Sequence, residues 1–405
     1  MRIEKRTARA FLLLLLPVIM IIAFWGCEAE GEETTAEKIL NPAVGMRGGV
    51  LIGGERVDTI EPERKSATYL ALDAVGKKLY DAAYTAVSMD EYAFEITGVT
   101  LHDYCMLSGQ VMQIFFMDHP EYFWLSGASE YSSYRMSNGE IGNITVYLGV
   151  HEYWETHDLA PAISDLDRVL SSVVSQARAI EGDYERVLFV HDYIIGNASY
   201  DYVAYELDEE MGDEAEARVS SAYGALVSGS TMCAGYTAAF NLIMNELGYE
   251  SYYVPGVAND GPHAWNLINL GGNYYHVDLT WDDLDGEPGK LIYDYFCLTD
   301  EQISLTHTVD AGYYYPPANA SEYNYFVREG LVLTEYSEQA FSELLKKYDG
   351  GDFFAFRCEN EETYKKVIYE LIELDKFFNF EAFAGVDSYY YLTNEDAYTL
   401  YCFFE

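Results

Sequence analysis

Residues 261–281 read GPHAWNLINLGGNYYHVDLTW. Two runs of strand-forming residues flank Gly271 and Gly272, a two-residue connection of the kind that closes a β-hairpin. His263 stands eight residues before Gly271 and Asp278 six after Gly272, so pairing the runs brings the two side chains near one another. Neighbouring strands lie about 5 Å apart, within reach of an imidazole–carboxylate hydrogen bond if both face the same side. Upstream, residues 230–236 read STMCAGY and lead directly into an apolar helical run. Cys233 therefore falls at a helix N-terminus, where the helix dipole and free N–H groups stabilise a thiolate. The same N–H groups can hold the oxyanion of a tetrahedral intermediate. A nucleophile, a base and an orienting carboxylate thus occur in the order Cys233, His263, Asp278. Each residue alone also suits a plain structural role: a small core thiol, a core histidine beside Trp265, a turn or capping aspartate.

The 405 residues are half hydrophobic, ample for a sizeable core, and carry 24 Lys and Arg against 67 Asp and Glu, a net charge of −43. That charge argues against nucleic-acid or anionic-membrane binding through a basic face. The 38 tyrosines suit carbohydrate or protein contact as well as half-wet cores. Arg2, Lys5, Arg6 and Arg9 precede an apolar run from Phe11 to Phe24, the pattern of an export signal and shorter than a comfortable membrane span. The run ends in Gly26-Cys27, which resembles a bacterial lipobox with Cys27 as the lipidated residue, although Phe24 and Trp25 depart from it; an uncleaved anchor is the competing reading. Both imply an exported, cell-surface protein held to the membrane by its N-terminus. The remaining cysteines, Cys105, Cys297, Cys358 and Cys402, lie far apart in apolar surroundings and are expected as free buried thiols.

Residues 28–65 have the composition of a tether with one extended segment. Residues 66–160 form an N-terminal α+β region: a helix over 68–89, a strand over 92–99, a helix over 101–117, and strands 131–136 and 144–150 about a Ser137-Asn138-Gly139 turn. Residues 161–318 hold helices 163–180, 184–195, 220–227 and 232–247, an acidic loop at 206–217, and strands 251–257, 263–270 and 274–281. Residues 324–405 have their own strand and helix pattern, expected as a small α/β module.

The words Tyr223-Gly224-Ala225-Leu226, Cys233-Ala234-Gly235-Tyr236, Gly248-Tyr249-Glu250, His263-Ala264-Trp265-Asn266 and Val277-Asp278-Leu279-Thr280-Trp281-Asp282 resemble the bacterial transglutaminase-like family. The likeness extends over about residues 183–310, from Val190-His191-Asp192-Tyr193-Ile194 to Tyr295-Phe296-Cys297-Leu298-Thr299-Asp300 and His307. Asp118-His119-Pro120-Glu121-Tyr122-Phe123-Trp124 resembles the N-terminal region that accompanies this core in exported members. The resemblance implies an α+β fold with a papain-like core, a helix bearing the cysteine packed on an antiparallel sheet. It implies Cys233 as nucleophile, His263 as base and acid, and Asp278 as orienting carboxylate. It makes Tyr200 the candidate aromatic near the oxyanion, and Gly235, Tyr236 and Trp265 candidates for the site lining. Ala234 stands where close relatives often carry Gln, which touches the lining rather than the triad.

His151 and His157 would share a face of a strand, but their spacing is six rather than the four of a helical zinc site, and no metal is expected. Asp282, Asp283, Asp285 and Gly286 fail as a calcium loop, because Trp281 and Ile292 would fall at ligand positions. No phosphate-binding glycine motif or zinc-type cysteine pairing occurs, and no cofactor is expected. Three functions fit: a thiol hydrolase cleaving peptide or other amide bonds, a transglutaminase joining Gln to an amine, and a surface binding protein with a vestigial triad. Water is the default acceptor of an acyl-enzyme, which favours hydrolysis of a protein or peptide substrate, with cell-wall peptide among those open.

Overall fold

The computed structural model describes residues 50–135, 141–206, 212–259, 261–284, 291–348, 350–351, 353–383, 386 and 388–404. The N-terminal signal with Cys27, residues 28–49 of the expected tether, the turn at 137–139, and Asp285 and Gly286 lie outside them.

The first region is a five-stranded antiparallel sheet backed by helices. Its strands are β1 (Val50–Ile52), β2 (Glu55–Val57), β3 (Ala93–Ile96), β4 (Leu125–Arg135) and β5 (Ile141–Val150), in the order β2-β1-β3-β5-β4. Residues 50–57, expected within a tether, thus extend the sheet. The expected single helix over 68–89 is two, α1 (Ala67–Ala71) and α2 (Ala74–Ser88). Asp73 makes the break: its backbone is extended and its carboxylate accepts from the Gly76 N–H, opening the second helix. Helix α3 (Leu101–Asp118) is capped in the same way by Thr100.

The middle region begins with α4 (Glu152–Thr156), α5 (Leu159–Arg178) and α6 (Asp183–Asn197). His151 and His157 flank α4 at its two ends rather than sharing a strand face, so the premise of a metal pair there fails; His151 instead meets Asp213 at 2.9 Å. Then come β6 (Ser199–Tyr200), α7 (Tyr202–Glu206), α8 (Asp213–Val219), β7 (Ser230–Thr231) and α9 (Cys233–Glu246). Helix α8 corrects the acidic loop: its acidic residues crowd the first turn, where they favour the helix dipole. The antiparallel sheet that follows is β8 (Ser251–Ala258), β9 (Gly261–Leu270), β10 (Asn273–Val277), β11 (Phe296–Leu298) and β12 (His307–Val309), in the order β11-β10-β9-β8-β12. Short helices α10 (Leu279–Asp282) and α11 (Asp300–Ile303) lie between its later strands.

Helix α9 packs on β8 and β9 on one side and on α5 and α6 on another. Residues 235–244 are all buried, as expected of a helix that is apolar on every face. It ends at Gly248, whose φ of +90° lets the Tyr249 N–H return to the Met244 carbonyl. The buried core is continuous from Val50 in the first region to Cys297 in the middle one.

The third region holds α12 (Tyr325–Glu329), β13 (Val332–Leu333), α13 (Glu338–Leu344), β14 (Phe353–Cys358), α14 (Glu361–Val367), β15 (Tyr389–Asn394) and β16 (Thr399–Phe404). Its sheet, β13-β14-β16-β15, is mixed: β13 and β14 run parallel, and the other pairs are antiparallel. It has its own core, with Phe341, Phe356 and Phe377 at the centre. Asp294 of the middle region ties it down by accepting from Asn394, Thr399 and Tyr401. Cys297, Cys358 and Cys402 are free and buried, as expected. Cys105 is not free: it is disulfide-bonded.

Candidate active site

The site forms where the start of α9 meets the β9–β10 hairpin. Gly271 and Gly272 both take positive φ, +61° and +88°, and set the register in which Val277 faces Asn266. Strand β10 stops at Val277, earlier than expected, and Asp278 becomes the N-cap of α10. Its carboxylate does two jobs. Oδ1 accepts from the Thr280 and Trp281 N–H groups at 3.0 and 3.4 Å, and Oδ2 lies 2.7 Å from His263 Nε2. The capping and orienting roles, which look like alternatives in the sequence, coexist on the two oxygens of one group.

Cys233 opens α9, is half-buried, and stands beside the His263 side chain, close enough to help raise its pKa. Because Asp278 engages Nε2, Nδ1 is the ring nitrogen left to exchange a proton with the thiol. The N-cap residue Met232 offers no side-chain cap, so the first N–H groups of α9 have no such partner. Burial by itself would lower the His263 pKa, but Asp278 and Cys233 outweigh it and raise it to about 10. Burial would likewise raise the Asp278 carboxyl. The His263 charge, with hydrogen bonds from His263 and His307, holds it instead well below the usual carboxylate range.

Tyr200 is brought to the site. Strand β6 runs parallel to β7, pairing Tyr200 with Thr231 just ahead of Cys233. Burial and the neighbouring Cys233 both raise the phenol's pKa. The three lining candidates behave otherwise. Gly235 is a packing residue: a Cβ there would stand 1.9 Å from Thr231 Oγ1 and 2.8 Å from the Ser221 carbonyl oxygen. Tyr236 is fully buried, with its hydroxyl donating to Asp283. Trp265 is 1% exposed and donates to His276 Nδ1 at 3.0 Å. All three back the site rather than wall an open cleft.

Two residues enter that spacing did not single out. Tyr253 on β8 lies near Cys233, and burial and that neighbour raise its pKa. His307 on β12 sends Nε2 to within 3.0 Å of Asp278 Oδ2, the same oxygen that His263 engages. The only signal for His307 in the sequence is that the family likeness runs through it.

His263, Asp278 and His307 are also the one group among the described residues whose ligand atoms cluster as for a metal. Their separations of 2.7 and 3.0 Å are hydrogen-bond lengths. Atoms around one tetrahedral zinc, with bonds of about 2.0 Å, would stand about 3.3 Å apart. A thiol, an imidazole held as acid and base, and an anchored carboxylate can perform acyl transfer.

The sequence profile described as the transglutaminase-like superfamily matches residues 172–279. That span contains Cys233, His263 and Asp278. Human kyphoscoliosis peptidase is 26% identical over 158 residues, covering 36% of this chain and 22% of its own length. The mouse kyphoscoliosis peptidase is 25% identical with the same coverage. The chain thus spans about a fifth of the length of these curated relatives. A solved structure described as that of a TGase aligns over 37% of this chain and 44% of its own, at 18% identity and a TM-score of 0.28.

Proposed function

The chain belongs to the transglutaminase-like superfamily, and on that premise we propose that it is a thiol hydrolase cleaving amide bonds of a protein or peptide through an acyl-enzyme on Cys233. The observation that carries it is the set in which Cys233, at the start of α9, neighbours His263, and His263 Nε2 lies 2.7 Å from Asp278 Oδ2. The mammalian relatives are named peptidases, which agrees with this reading.

The steps follow from the geometry. The Cys233 sulfur, its proton passed to His263 Nδ1, attacks the amide carbonyl carbon. The first-turn N–H groups of α9 hold the oxyanion, with Tyr200 beside them as a further donor. The tetrahedral intermediate collapses as His263 gives its proton to the leaving amine, and a thioester remains. Water, deprotonated by His263, attacks the thioester and releases the acid and the thiol. Asp278 keeps the ring oriented and balances the imidazolium without taking the proton.

The apolar run before Cys27 supports an exported location, with the enzyme tethered at the cell surface. Peptide cleavage, ammonia release from a Gln donor and amine incorporation, measured side by side, test the acceptor. Cleavage without amine incorporation is expected. Amine incorporation at a rate matching ammonia release would assign the site to cross-linking instead.

A further inference from the structure

We propose that His307 is a positioning residue of the active site, holding the Asp278 carboxylate in line with His263 and sharing its charge. The proposal rests on the acyl-transfer reading of Cys233, His263 and Asp278.

A carboxylate offers about four lone-pair positions. At Asp278 all are taken: two backbone N–H groups on Oδ1 and two imidazole nitrogens on Oδ2. The donor on His307 is assigned by Asp278: an ionised carboxylate only accepts, so a ring proton sits on Nε2, 3.0 Å from Oδ2. In the neutral ring Nδ1 then accepts from the Thr306 hydroxyl, 2.8 Å away. The ring is fully buried and has little freedom to turn. Trp281, Trp265 and Tyr295 surround it at centroid distances of 4.6, 4.9 and 5.6 Å. Trp265 is itself fixed by His276. The His263 and His307 rings stand 5.3 Å apart, with the shared oxygen between their Nε2 atoms.

Two consequences follow. The second N–H fixes the carboxylate's torsion, which the α10 cap alone holds only through Oδ1. It also takes part of the charge on Oδ2, so His263 feels less than the full pull of Asp278. The groups facing the pair from the packed elements are Cys233 at the start of α9, His276 on β10, Tyr295 ahead of β11, Tyr200 on β6, and Tyr253 on β8 beside the thiol. None of these is a carboxylate, so removing the His307 N–H should act chiefly through Asp278.

The test needs no substrate. In His307→Leu, the rate of Cys233 alkylation by iodoacetamide at pH 7 should fall by about tenfold to a hundredfold, the scale for a slightly misplaced reacting group. The His263 titration, followed by NMR, should move to higher pH. His307→Gln, which keeps an N–H donor, should recover most of the rate. On an Asp278→Asn background, His307→Leu should cost little more, because the partner it acts through is gone. Thr306→Val, a milder change, should give a smaller loss of the same kind and carries the test if His307→Leu does not fold.

A lowered melting temperature with unchanged alkylation and His263 titration would overturn the proposal and leave the triad standing. Equal, additive losses on both backgrounds would overturn it as well. So would stoichiometric metal bound by the wild type and lost in His307→Leu. A wild-type Cys233 that never alkylates would count against the acyl-transfer reading, while the His263 titration in His307→Leu would still decide the role of His307.

Discussion

His263 Nε2 lies 2.7 Å from Asp278 Oδ2, although the hairpin does not set the two residues directly opposite. The register that pairs Val277 with Asn266, carried one step further, puts Asp278 against Trp265. The contact with His263 is therefore diagonal. Ending β10 at Val277 makes it possible, because the chain turns into α10 and swings the carboxylate toward the site.

Asp278 raises the His263 pKa more than Cys233 does, and removing its charge leaves Cys233 alone against burial, which lowers it. In Asp278→Asn the alkaline limb of a pH–rate profile should therefore move below its wild-type position at about 10. Turnover should drop by about 10⁴-fold while a residue of activity persists, because Asp278 orients rather than reacts. The same shift stabilises the folded protein below the free-imidazole range near 6.5, and that contribution fades as pH climbs to about 10. A limb that stays in place in Asp278→Asn would count against the assignment.

Thiol labelling should be selective. Burial pushes Cys358 up to about 12 and holds Cys297 and Cys402 well above the ordinary thiol range, and Cys105 is disulfide-bonded. Near neutral pH, iodoacetamide should modify Cys233 alone among the described cysteines, as read by peptide mass mapping. Labelling of Cys297 at a comparable rate would mean that the core opens more readily than its packing implies.

Gly235→Ala should destabilise the protein by about 1–3 kcal/mol, the usual cost of overpacking. The new methyl would drive into Thr231 Oγ1 and the Ser221 and Val219 carbonyls, which fix the start of α9. Denaturant melts measure the loss, and Cys233 reactivity should fall with it, because the same contacts place the thiol. A Gly235→Ala protein of unchanged stability would show that this interface yields.

Tyr200→Phe keeps the ring packed against Tyr202, 4.9 Å away, and removes only the hydroxyl. If that hydroxyl donates to the oxyanion, kcat should fall by about a hundredfold with KM little changed. An unaltered kcat would reduce Tyr200 to packing.

Much of this site is legible in the sequence because its information is local. A cysteine ahead of an apolar helix, a Gly271-Gly272 turn and two flanking polar residues specify the hairpin and the helix start without reference to the rest of the chain. His307 is not legible that way. It reaches Asp278 from β12, an edge strand of three residues placed by pairing with β8, and short strands carry little periodicity. The lining candidates fail for a related reason: sequence shows that Trp265 and Tyr236 are near the site but not which way they face. Local electrostatics also outweighed composition. The acidic residues at 213–216 suggested a solvated loop, yet in a first helical turn they favour α8. Conversely, Asp73 interrupts an apolar pattern that by itself predicts one long helix.

The central claim is that Cys233 is a nucleophile activated by His263, and the rate of Cys233 alkylation in the wild type and in His263→Ala tests it most directly. At pH 7 the wild-type thiol should react at least about tenfold faster than the thiol of His263→Ala, with both proteins folded. Equal rates, or an inert Cys233 in the wild type, would contradict it.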